Sequence, residues 1–395
     1  MNNLYNSHLY FFIFGRNPQL SKAEIISYLA SHSIGITSHI SGKDFLLLNI
    51  PEKINSHKVS QDLASIVKIG RIYLSIQNIH DLTDLLQQMD FYIEDSNTIT
   101  YSISTYGDKV NSNDFHGIFK QLYKHYKIKA LLKNPPPSTL SNALKKTNFV
   151  DIVVFHHQNQ YYIGRSIASY DIKEDKKRYE QRPHVDESIG SSIRISRILV
   201  NLSQKIHGKL LDPFCGIGTI LQEAILMGYE VIGSEINPKR VRFCQDNLKW
   251  ITEQYPNIRP KLEIFQSDVR EIYSKIPPLS IDTIVTEPEL GPFLKAIPTW
   301  MEAKSIIDTL QALYEDAFRV MDDILKPKGT IVFVLPELET TGGKKTRPNI
   351  HSLITSTHFK LISEIAYSTI SLPLPIFYKE KWHIIGRWIY VFQKS

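Results

Sequence analysis

Cysteine is scarce in this chain. Its 395 residues include two, Cys215 and Cys244, and so few thiols support neither a disulfide framework nor a cysteine-based metal centre. Long apolar runs are also missing, since none approaches the ~20 residues needed to cross a membrane. The first residues lack the charged, apolar and small-residue segments of a secretory leader. From these absences we expect a cytoplasmic protein with neither a membrane partner nor a bound metal.

Charge of one sign is in modest excess, and the excess is local. The formal net charge is +6. Residues 120–182 contain 13 Lys and Arg against 5 Asp and Glu, a surplus of eight, which leaves −2 for the rest of the chain. A basic module beside a nearly neutral one is typical of a protein in which one part contacts a polyanion. A lysine-rich helix face exposed to solvent would give the same count.

The most informative stretch is residues 210–219, Leu-Leu-Asp-Pro-Phe-Cys-Gly-Ile-Gly-Thr. An apolar strand ends at Asp212, a loop with two glycines follows, and a helical pattern begins after it. This order predicts the first strand, turn and helix of a doubly wound α/β domain, in which ligands bind beyond the carboxyl ends of the strands. Glycines let a ligand approach the backbone, and the free N–H groups of the helix start point toward it.

Acidic residues also end the next predicted strands, at Glu235, Asp268 and Glu287. A carboxylate about 20 residues after the glycines can accept the hydroxyls of a ribose. The loop lacks the third glycine of a dinucleotide fingerprint and the Gly-Lys-Ser/Thr of a phosphate loop, and Asp212 would repel phosphate but attract an ammonium group. A ligand with a ribose, an adenine and a cationic amino-acid tail fits these acids. S-adenosylmethionine is such a ligand.

Two smaller α+β modules are predicted before this domain, over residues 1–80 and 81–175. In the second module, lysines cluster around a predicted helix pair with Tyr123 and Tyr126 between them, and an RNA surface needs such a combination of charge and stacking groups. The prolines and helix starts of this segment would equally suit a structural linker. The candidate RNA-binding residues are Lys124, Lys127, Lys129, Lys133, Lys145 and Lys146.

At these motifs the chain resembles the THUMP-domain RNA guanine-N2 methyltransferases, and most of all the group that acts on guanosine ten of tRNA. The resemblance is carried by the glycine-loop motif, by Gly-Tyr-Glu-Val-Ile-Gly-Ser-Glu at 228–235 and by the opening motif at 14–24, and it covers nearly the whole chain. It implies a ferredoxin-like domain (1–80), a THUMP-like RNA-binding domain (81–175), a linker with a leading helix (176–205) and a Rossmann-like, seven-stranded methyltransferase domain (206–395).

The resemblance also implies roles for individual residues. Glu235 would accept the ribose hydroxyls of S-adenosylmethionine, and Asp268 would accept the amino group of its adenine. The residues that would line the methionine end of the cofactor are Asp212, Phe214, Gly216, Gly218 and Thr219.

The catalytic motif departs from the family pattern. Enzymes of this kind have Asp or Asn, then Pro-Pro and an aromatic residue after the fourth strand; the first side chain and the first Pro carbonyl accept the amino hydrogens of the base, and the ring stacks on it. This chain has Thr-Glu-Pro-Glu-Leu-Gly-Pro at 286–292. Glu287 and Pro288 keep the acceptor and the carbonyl, but the aromatic residue is missing, and Phe293 is the nearest ring.

The resemblance therefore predicts an S-adenosylmethionine-dependent enzyme that methylates the N2 amine of a guanine in tRNA or another structured RNA. The sequence leaves the oligomeric state open, with a monomer favoured. Two alternatives remain. One is methylation of another exocyclic amine, in ribosomal RNA guanine or DNA adenine, although an RNA-binding module argues against DNA. The other is a non-catalytic tRNA-binding protein with a degenerate active site, which the missing aromatic residue favours.

Overall fold

The computed structural model describes residues 8–87, 97–108, 110–185, 192–380 and 383–395, which form two compact units. The first unit contains the described residues among 1–22, 34–176 and 368–370, and the second those among 23–33, 177–367 and 371–395. Parts of the predicted RNA-binding domain (88–96 and 109) and of the predicted linker (186–191) lie outside the described residues.

One eight-stranded sheet forms the first unit. Its order is β2-β3-β1-β4-β8-β7-β5-β6, and β4 pairs antiparallel with β8, so strands of the predicted domains 1–80 and 81–175 share this sheet. The division of the unit into those two domains stays a prediction. The strands are β1 (Leu9–Phe14), β2 (Ser38–Ser41), β3 (Phe45–Asn49), β4 (Ile66–Ile76), β5 (Thr98–Gly107), β6 (Lys129–Leu132), β7 (Phe149–His157) and β8 (Gln160–Ser169).

The helices of this part of the chain pack on the sheet through apolar stripes. In the fourth helix the buried residues Phe115, Phe119, Leu122 and Tyr123 recur at helical spacing and form a core with β5 and β7. The helices are α1 (Pro18–Ser31), α2 (Ser56–Asp62), α3 (Leu82–Gln87), α4 (Ser112–His125), α5 (Pro137–Leu144) and α6 (Ile172–Gln181), with a 3₁₀ turn at Ile79–Asp81. Residues of α1 from Ala23 and of α6 from Lys177 belong to the second unit.

The second unit contains a nine-stranded sheet. Seven strands form the order β11-β10-β9-β12-β13-β19-β15, and β14 pairs with β13 and β18 with β19 outside that order. The pairs from β11 to β13 are parallel, and β19 is antiparallel to β13. The strands are β9 (Lys209–Asp212), β10 (Glu230–Glu235), β11 (Leu262–Gln266), β12 (Ile281–Thr286), β13 (Leu325–Glu339), β14 (Lys345–Thr346), β15 (Phe359–Leu361), β16 (Glu364–Tyr367), β17 (Ile370–Pro373), β18 (Ile376–Tyr378) and β19 (Gly386–Lys394).

This sheet reverses its strand order between β9 and β12, and ligands of open α/β sheets bind at such a reversal, beyond the carboxyl ends of the strands. The predicted Rossmann-like fold of this unit is thereby confirmed, and seven of the nine strands form its continuous order. Its helices are α7 (Ile193–Leu202), α8 (Thr219–Leu226), α9 (Pro238–Gln254), α10 (Trp300–Ile324) and α11 (Ile350–Ile354), with a 3₁₀ helix at Val269–Ser274. Among the described residues, no helix could span a membrane, and no group of acidic, His or Cys side chains is placed to hold a metal.

Candidate active site

The glycine loop connects β9 to α8, and both glycines have left-handed backbone angles. Gly216 has φ of 54° and Gly218 of 86°, a region that side chains rarely adopt. At Gly218 an added Cβ would come within 2.7 Å of Cys244 Sγ, so this position also has no space for a side chain. At Gly216 an added Cβ would meet nothing within 4 Å. The loop thus leaves open space over Gly216.

Asp212 ends β9 and is buried beneath this loop. Its carboxylate accepts hydrogen bonds from the Thr286 hydroxyl (2.6 Å) and the Phe214 backbone N–H (3.1 Å). Burial, with smaller contributions from nearby Glu235 and Glu287, raises the pKa of Asp212 to about 7, although these two hydrogen bonds act to lower it. A buried acid that is half neutral at physiological pH would gain a counterion if a cationic ligand bound beside it.

Glu235 ends β10 and receives two backbone hydrogen bonds, from the N–H of Gly216 (3.1 Å) and of Asn237 (2.9 Å). These bonds fix the side chain beside the glycine loop, as a ribose-binding role requires. Asp268 follows β11 and forms a two-point ion pair with Arg270, whose Nε lies 2.9 Å from Oδ1. The hydrogen bonds from Arg270 lower the pKa of Asp268. An adenine amino group would therefore share this carboxylate with Arg270.

Glu287 follows β12 directly, and it forms a buried ion pair that the sequence did not predict. Arg387 Nε on β19 donates to Glu287 Oε1 over 2.6 Å, and Arg387 Nη1 lies 2.7 Å from His383 Nδ1. Both partners of the pair are almost fully buried. Burial alone would lower the pKa of Arg387, but the Glu287 charge outweighs it and raises that pKa. The signal that could have found this arginine is its strand motif, Gly-Arg-Trp-Ile at 386–389.

The residues after Glu287 are held by α10. Pro288 is buried, and the Tyr314 hydroxyl donates to the backbone carbonyl of Glu289. Phe293, the nearest ring in the sequence, is 78% exposed. The Glu-Pro turn is thus tied to the core, while Phe293 faces solvent.

S-adenosylmethionine fits this donor set. The open space over Gly216 adjoins the buried carboxylate of Glu235, and Asp212 lies at the base of the same loop. Anionic side chains suit the sulfonium and ammonium groups of this cofactor and would repel a pyrophosphate. Asp212, Glu235 and the loop glycines are the residues that would hold it.

Comparisons with known proteins agree with this geometry. Residues 191–342 match a family model described as an RMKL-like methyltransferase domain, and residues 70–246 match one described as a DNA methylase. The tRNA (guanine(10)-N2)-dimethyltransferase of Methanothermobacter thermautotrophicus is 27% identical over 284 residues, 70% of this chain and 75% of that protein. A probable tRNA (guanine(10)-N2)-dimethyltransferase of Methanothermococcus thermolithotrophicus is 32% identical over 143 residues, 35% of this chain and 78% of that relative. The chain belongs to this family.

The human U6 snRNA (guanine-N(2))-methyltransferase THUMPD2 is 26% identical over 219 residues, 55% of this chain and 35% of that protein. The solved structure of SMU.472 complexed with SAH aligns with a TM-score of 0.49 and 11% identity, over 98% of this chain and 99% of that one. The predicted family, the methyltransferase activity and S-adenosylmethionine as methyl donor are confirmed by the relatives and the family models.

In this member of the dimethyltransferase family, a buried charge cluster holds α8, the helix that begins at the glycine loop. Glu223 on α8 accepts hydrogen bonds from Arg178 Nη1 (2.9 Å) and Arg197 Nε (2.7 Å), and all three side chains are buried. Arg182 Nη1 donates to the Thr219 hydroxyl over 3.1 Å. Thr219, predicted to bind the cofactor, therefore also anchors the segment that precedes α7.

The six candidate RNA-binding lysines are all exposed on the first unit. β5, β6 and β7 are parallel, and Lys127, Lys129, Lys145 and Lys146 lie at the amino ends of β6 and β7. Lys124, in the last turn of α4, precedes the same edge of the sheet, whereas Lys133 follows the other end of β6. Five of the six thus share one sheet edge.

The prediction that Tyr123 interleaves with these lysines on an RNA surface is wrong. Its side chain is fully buried in the core of the first unit and packs on Tyr101 at 5.1 Å between ring centroids. Tyr126 is partly exposed, and its hydroxyl donates to the Gln87 carbonyl. Tyr123 belongs to the apolar face of α4, because its position continues the stripe of Phe115 and Phe119.

Proposed function

We propose that this chain transfers a methyl group from S-adenosylmethionine to the exocyclic N2 amine of a guanine in tRNA. The relatives' names motivate the substrate. The observation that carries the chemistry is the position of Glu287, a buried carboxylate with its own counterion at the point where the strand order reverses.

Glu287 is the proposed acceptor for one hydrogen of the amino group. A carboxylate has about four lone-pair sites, so the Arg387 contact leaves acceptor capacity on Glu287. The Pro288 carbonyl is the proposed acceptor for the second hydrogen. Both bonds strengthen as the nitrogen turns pyramidal and directs its lone pair at the methyl carbon, so they lower the barrier more than they tighten binding.

The hydrogen bond from Thr286 to Asp212 connects this acceptor to the glycine loop. Thr286 directly precedes Glu287, and Asp212 directly precedes the loop that would hold the cofactor. Because this bond joins the two strand ends, a shift of one would carry the other with it. This coupling favours in-line alignment of the amine with the methyl donor. S-adenosylmethionine, when bound, supplies an electrophilic methyl group on its sulfonium.

The lysines at the sheet edge of the first unit are the proposed contacts to tRNA phosphates. They are Lys124, Lys127, Lys129, Lys145 and Lys146, with Lys133 at the other end of β6. Their exposure and shared edge support this role, since phosphate contacts position a nucleic acid without reading its sequence.

One experiment separates this proposal from its alternatives. The 395-residue chain is incubated with labelled S-adenosylmethionine and, in parallel, with tRNA, ribosomal RNA and duplex DNA. We expect label in tRNA, with mass spectrometry of nucleosides finding N2-methylguanosine or N2,N2-dimethylguanosine and tRNA with position ten changed to adenosine accepting none. Label in DNA adenine would instead match the DNA methylase family model. Tight tRNA binding without any transfer would establish the non-catalytic alternative.

A further inference from the structure

A second cationic surface lies in the methyltransferase unit itself. It is a β-hairpin, residues 338–347, formed by the end of β13 and the short strand β14; Leu338 pairs with Thr346 and Glu339 with Lys345. We call it the cationic hairpin, because its returning arm contains Lys344, Lys345 and Arg347, all exposed.

Each of these three cations lies over a different aromatic ring. Lys344 Nζ is 5.8 Å from the ring centre of Trp300, Lys345 Nζ is 5.6 Å from Phe377, and the Arg347 guanidinium is 5.0 Å from Trp388. Distances below about 6 Å are typical of cation–π contacts. The surface therefore combines three positive charges on one arm of the hairpin with aromatic faces from α10, β18 and β19.

The hairpin is held by the body of the unit. Glu337 accepts from Lys345 Nζ (2.9 Å) and from Trp388 Nε1 (2.8 Å), and the Thr341 N–H donates to the Pro298 carbonyl over 3.0 Å. The cations are thus presented on a fixed strand.

The hairpin lies at the same edge of the sheet as Glu287. It extends from the carboxyl end of β13, and β13 runs parallel to β12, whose carboxyl end bears Glu287. Trp388 follows Arg387 in β19, so the ring partner of Arg347 and the counterion of Glu287 are consecutive residues whose side chains leave opposite faces of the strand.

We propose that the substrate RNA crosses the cationic hairpin to reach Glu287, with its phosphates on Lys344, Lys345 and Arg347 and an unstacked base on one of the rings. This inference rests on the proposed function. Surfaces that bind single-stranded nucleic acid combine positive charge with stacking rings, and each ring here is covered by a cation that a phosphate can draw away. An acidic protein segment would match the charge but leave the rings without a role.

The test compares two triple variants of the full chain. The first is Lys344→Ala with Lys345→Ala and Arg347→Ala. The control is Lys249→Ala with Arg259→Ala and Lys261→Ala, which removes the same charge from exposed positions at the amino side of β11. Affinity for tRNA is measured over a range of salt concentrations, and S-adenosylmethionine binding by calorimetry checks that each variant keeps its site.

We expect the hairpin variant to bind tRNA on the order of 10–100-fold more weakly at low salt, with a salt slope smaller by about 2, while the control keeps the wild-type slope. Equal affinity and slope in hairpin variant and wild type would overturn the proposal, as would competition by polyglutamate that equals competition by an RNA oligonucleotide. Failure of the proposed function is a separate result, since there the wild-type protein transfers no methyl to tRNA.

Lys345 is the partner of Glu337, so the triple variant could unfold. The double variant Lys344→Ala with Arg347→Ala leaves that ion pair intact, and we expect its salt slope to fall by about 1.5. Trp300→Ala tests the ring separately: it keeps the charge, so we expect weaker binding on the order of 10-fold with an unchanged slope. If the folded double variant and Trp300→Ala both bind as wild type does, the hairpin is not an RNA surface.

Discussion

At the scale of single residues, the acids of the site differ in what stabilises them. Glu287 has the guanidinium of Arg387 at 2.6 Å, whereas Asp212 receives its two described hydrogen bonds from a hydroxyl and a backbone N–H. A buried acid with an ion-pair partner depends on that partner, whereas a buried acid without a counterion shifts toward its neutral form. The two carboxylates should therefore respond differently to mutation.

The first prediction concerns the Glu287–Arg387 pair. Glu287→Ala should lower kcat by roughly 10²–10³-fold with tRNA and cofactor affinity nearly kept, because a transition-state acceptor is lost. Glu287→Asp, which gives the usual acid of the family motif, should keep activity. Arg387→Ala should lower kcat by about 10–100-fold through misplacement of Glu287, and Arg387→Lys should restore part of that loss. Steady-state kinetics of the four variants measures these changes.

A double-mutant cycle is the control for that prediction. If Arg387 acts through Glu287, the effect of Arg387→Ala should largely disappear in a Glu287→Ala background. Additive effects would show that the arginine acts independently, and a wild-type rate in Glu287→Ala would remove Glu287 from the mechanism.

The second prediction follows from the raised pKa of Asp212, about 7. A bound cation favours the ionised form, so S-adenosylmethionine should displace a proton and bind more tightly as the pH rises from about 6 to 8. Titration calorimetry in buffers of different ionisation enthalpy measures the proton released. In Asp212→Asn we expect weaker binding without this pH dependence; a wild-type protein that releases no proton would contradict the assignment.

The stability of the folded protein should change with pH in the direction opposite to that of cofactor affinity. Between about pH 4 and pH 7 the unfolded chain ionises this residue while the folded protein keeps it largely protonated. Its contribution to the free energy of unfolding therefore falls as the pH rises through that window and is constant above it. Chemical denaturation at pH 5 and pH 8 measures how the free energy of unfolding changes between these pH values, in wild type and in Asp212→Asn.

At the scale of secondary-structure elements, α8 depends on charges that other segments supply. Glu223 lies between Arg178 of α6 and Arg197 of α7, and the three side chains are buried together. Removing one member of such a cluster leaves opposite charge buried without compensation, which costs about 3–5 kcal/mol. The glycine loop begins the helix that this cluster holds.

The third prediction is that Glu223→Ala lowers the free energy of unfolding by about 3–5 kcal/mol, with S-adenosylmethionine binding lost in proportion to unfolding. Urea denaturation followed by tryptophan fluorescence measures it. Glu230→Ala is the matched control, since its partner Lys261 is 82% exposed and such pairs contribute little. Equal stability of the two variants would contradict the structural role of the cluster.

Strands and helices of the second unit could be predicted from sequence because each has a strong local pattern. The acid that ends β9 and the glycines that follow are adjacent in the chain, so their geometry follows from local rules. Arg387 could not be assigned in that way, since it reaches Glu287 from a strand 100 residues later. Lysines lie near Tyr123 on both sides in the sequence, so the local pattern predicts an exposed ring although the residue belongs to an apolar stripe.

At the scale of the whole molecule, the fourth prediction concerns the lysines of the first unit. Lys124→Ala with Lys129→Ala should reduce the salt slope of tRNA binding by about 1.5, since each lost phosphate contact removes roughly 0.7–0.9. Lys43→Ala with Lys53→Ala, two exposed lysines of the same unit, should leave the slope unchanged. Fluorescence anisotropy with labelled tRNA measures both, and identical slopes for the two variants would exclude the sheet edge as a contact.

The fifth prediction follows from the composition of the second unit, which includes residues 23–33 of α1. Buried Glu24 accepts a hydrogen bond from Asn201 Nδ2 on α7 over 2.8 Å. A fragment of residues 177–395 lacks this acceptor, so we expect it to melt at a lower temperature than the catalytic unit within the full chain. Glu24→Ala in the full chain should show part of the same loss. A fragment as stable as the full chain would show that α1 is dispensable for the catalytic unit.

The ion pair between Glu287 and Arg387 can form only late in the synthesis of the chain. The codon for the arginine is read 100 codons after that for the acid, so a nascent chain contains the glycine loop and the Glu-Pro turn long before it contains the counterion. A premature stop between these codons yields a product that has the cofactor loop but lacks Arg387. The complete catalytic site can therefore assemble only after translation has passed residue 387.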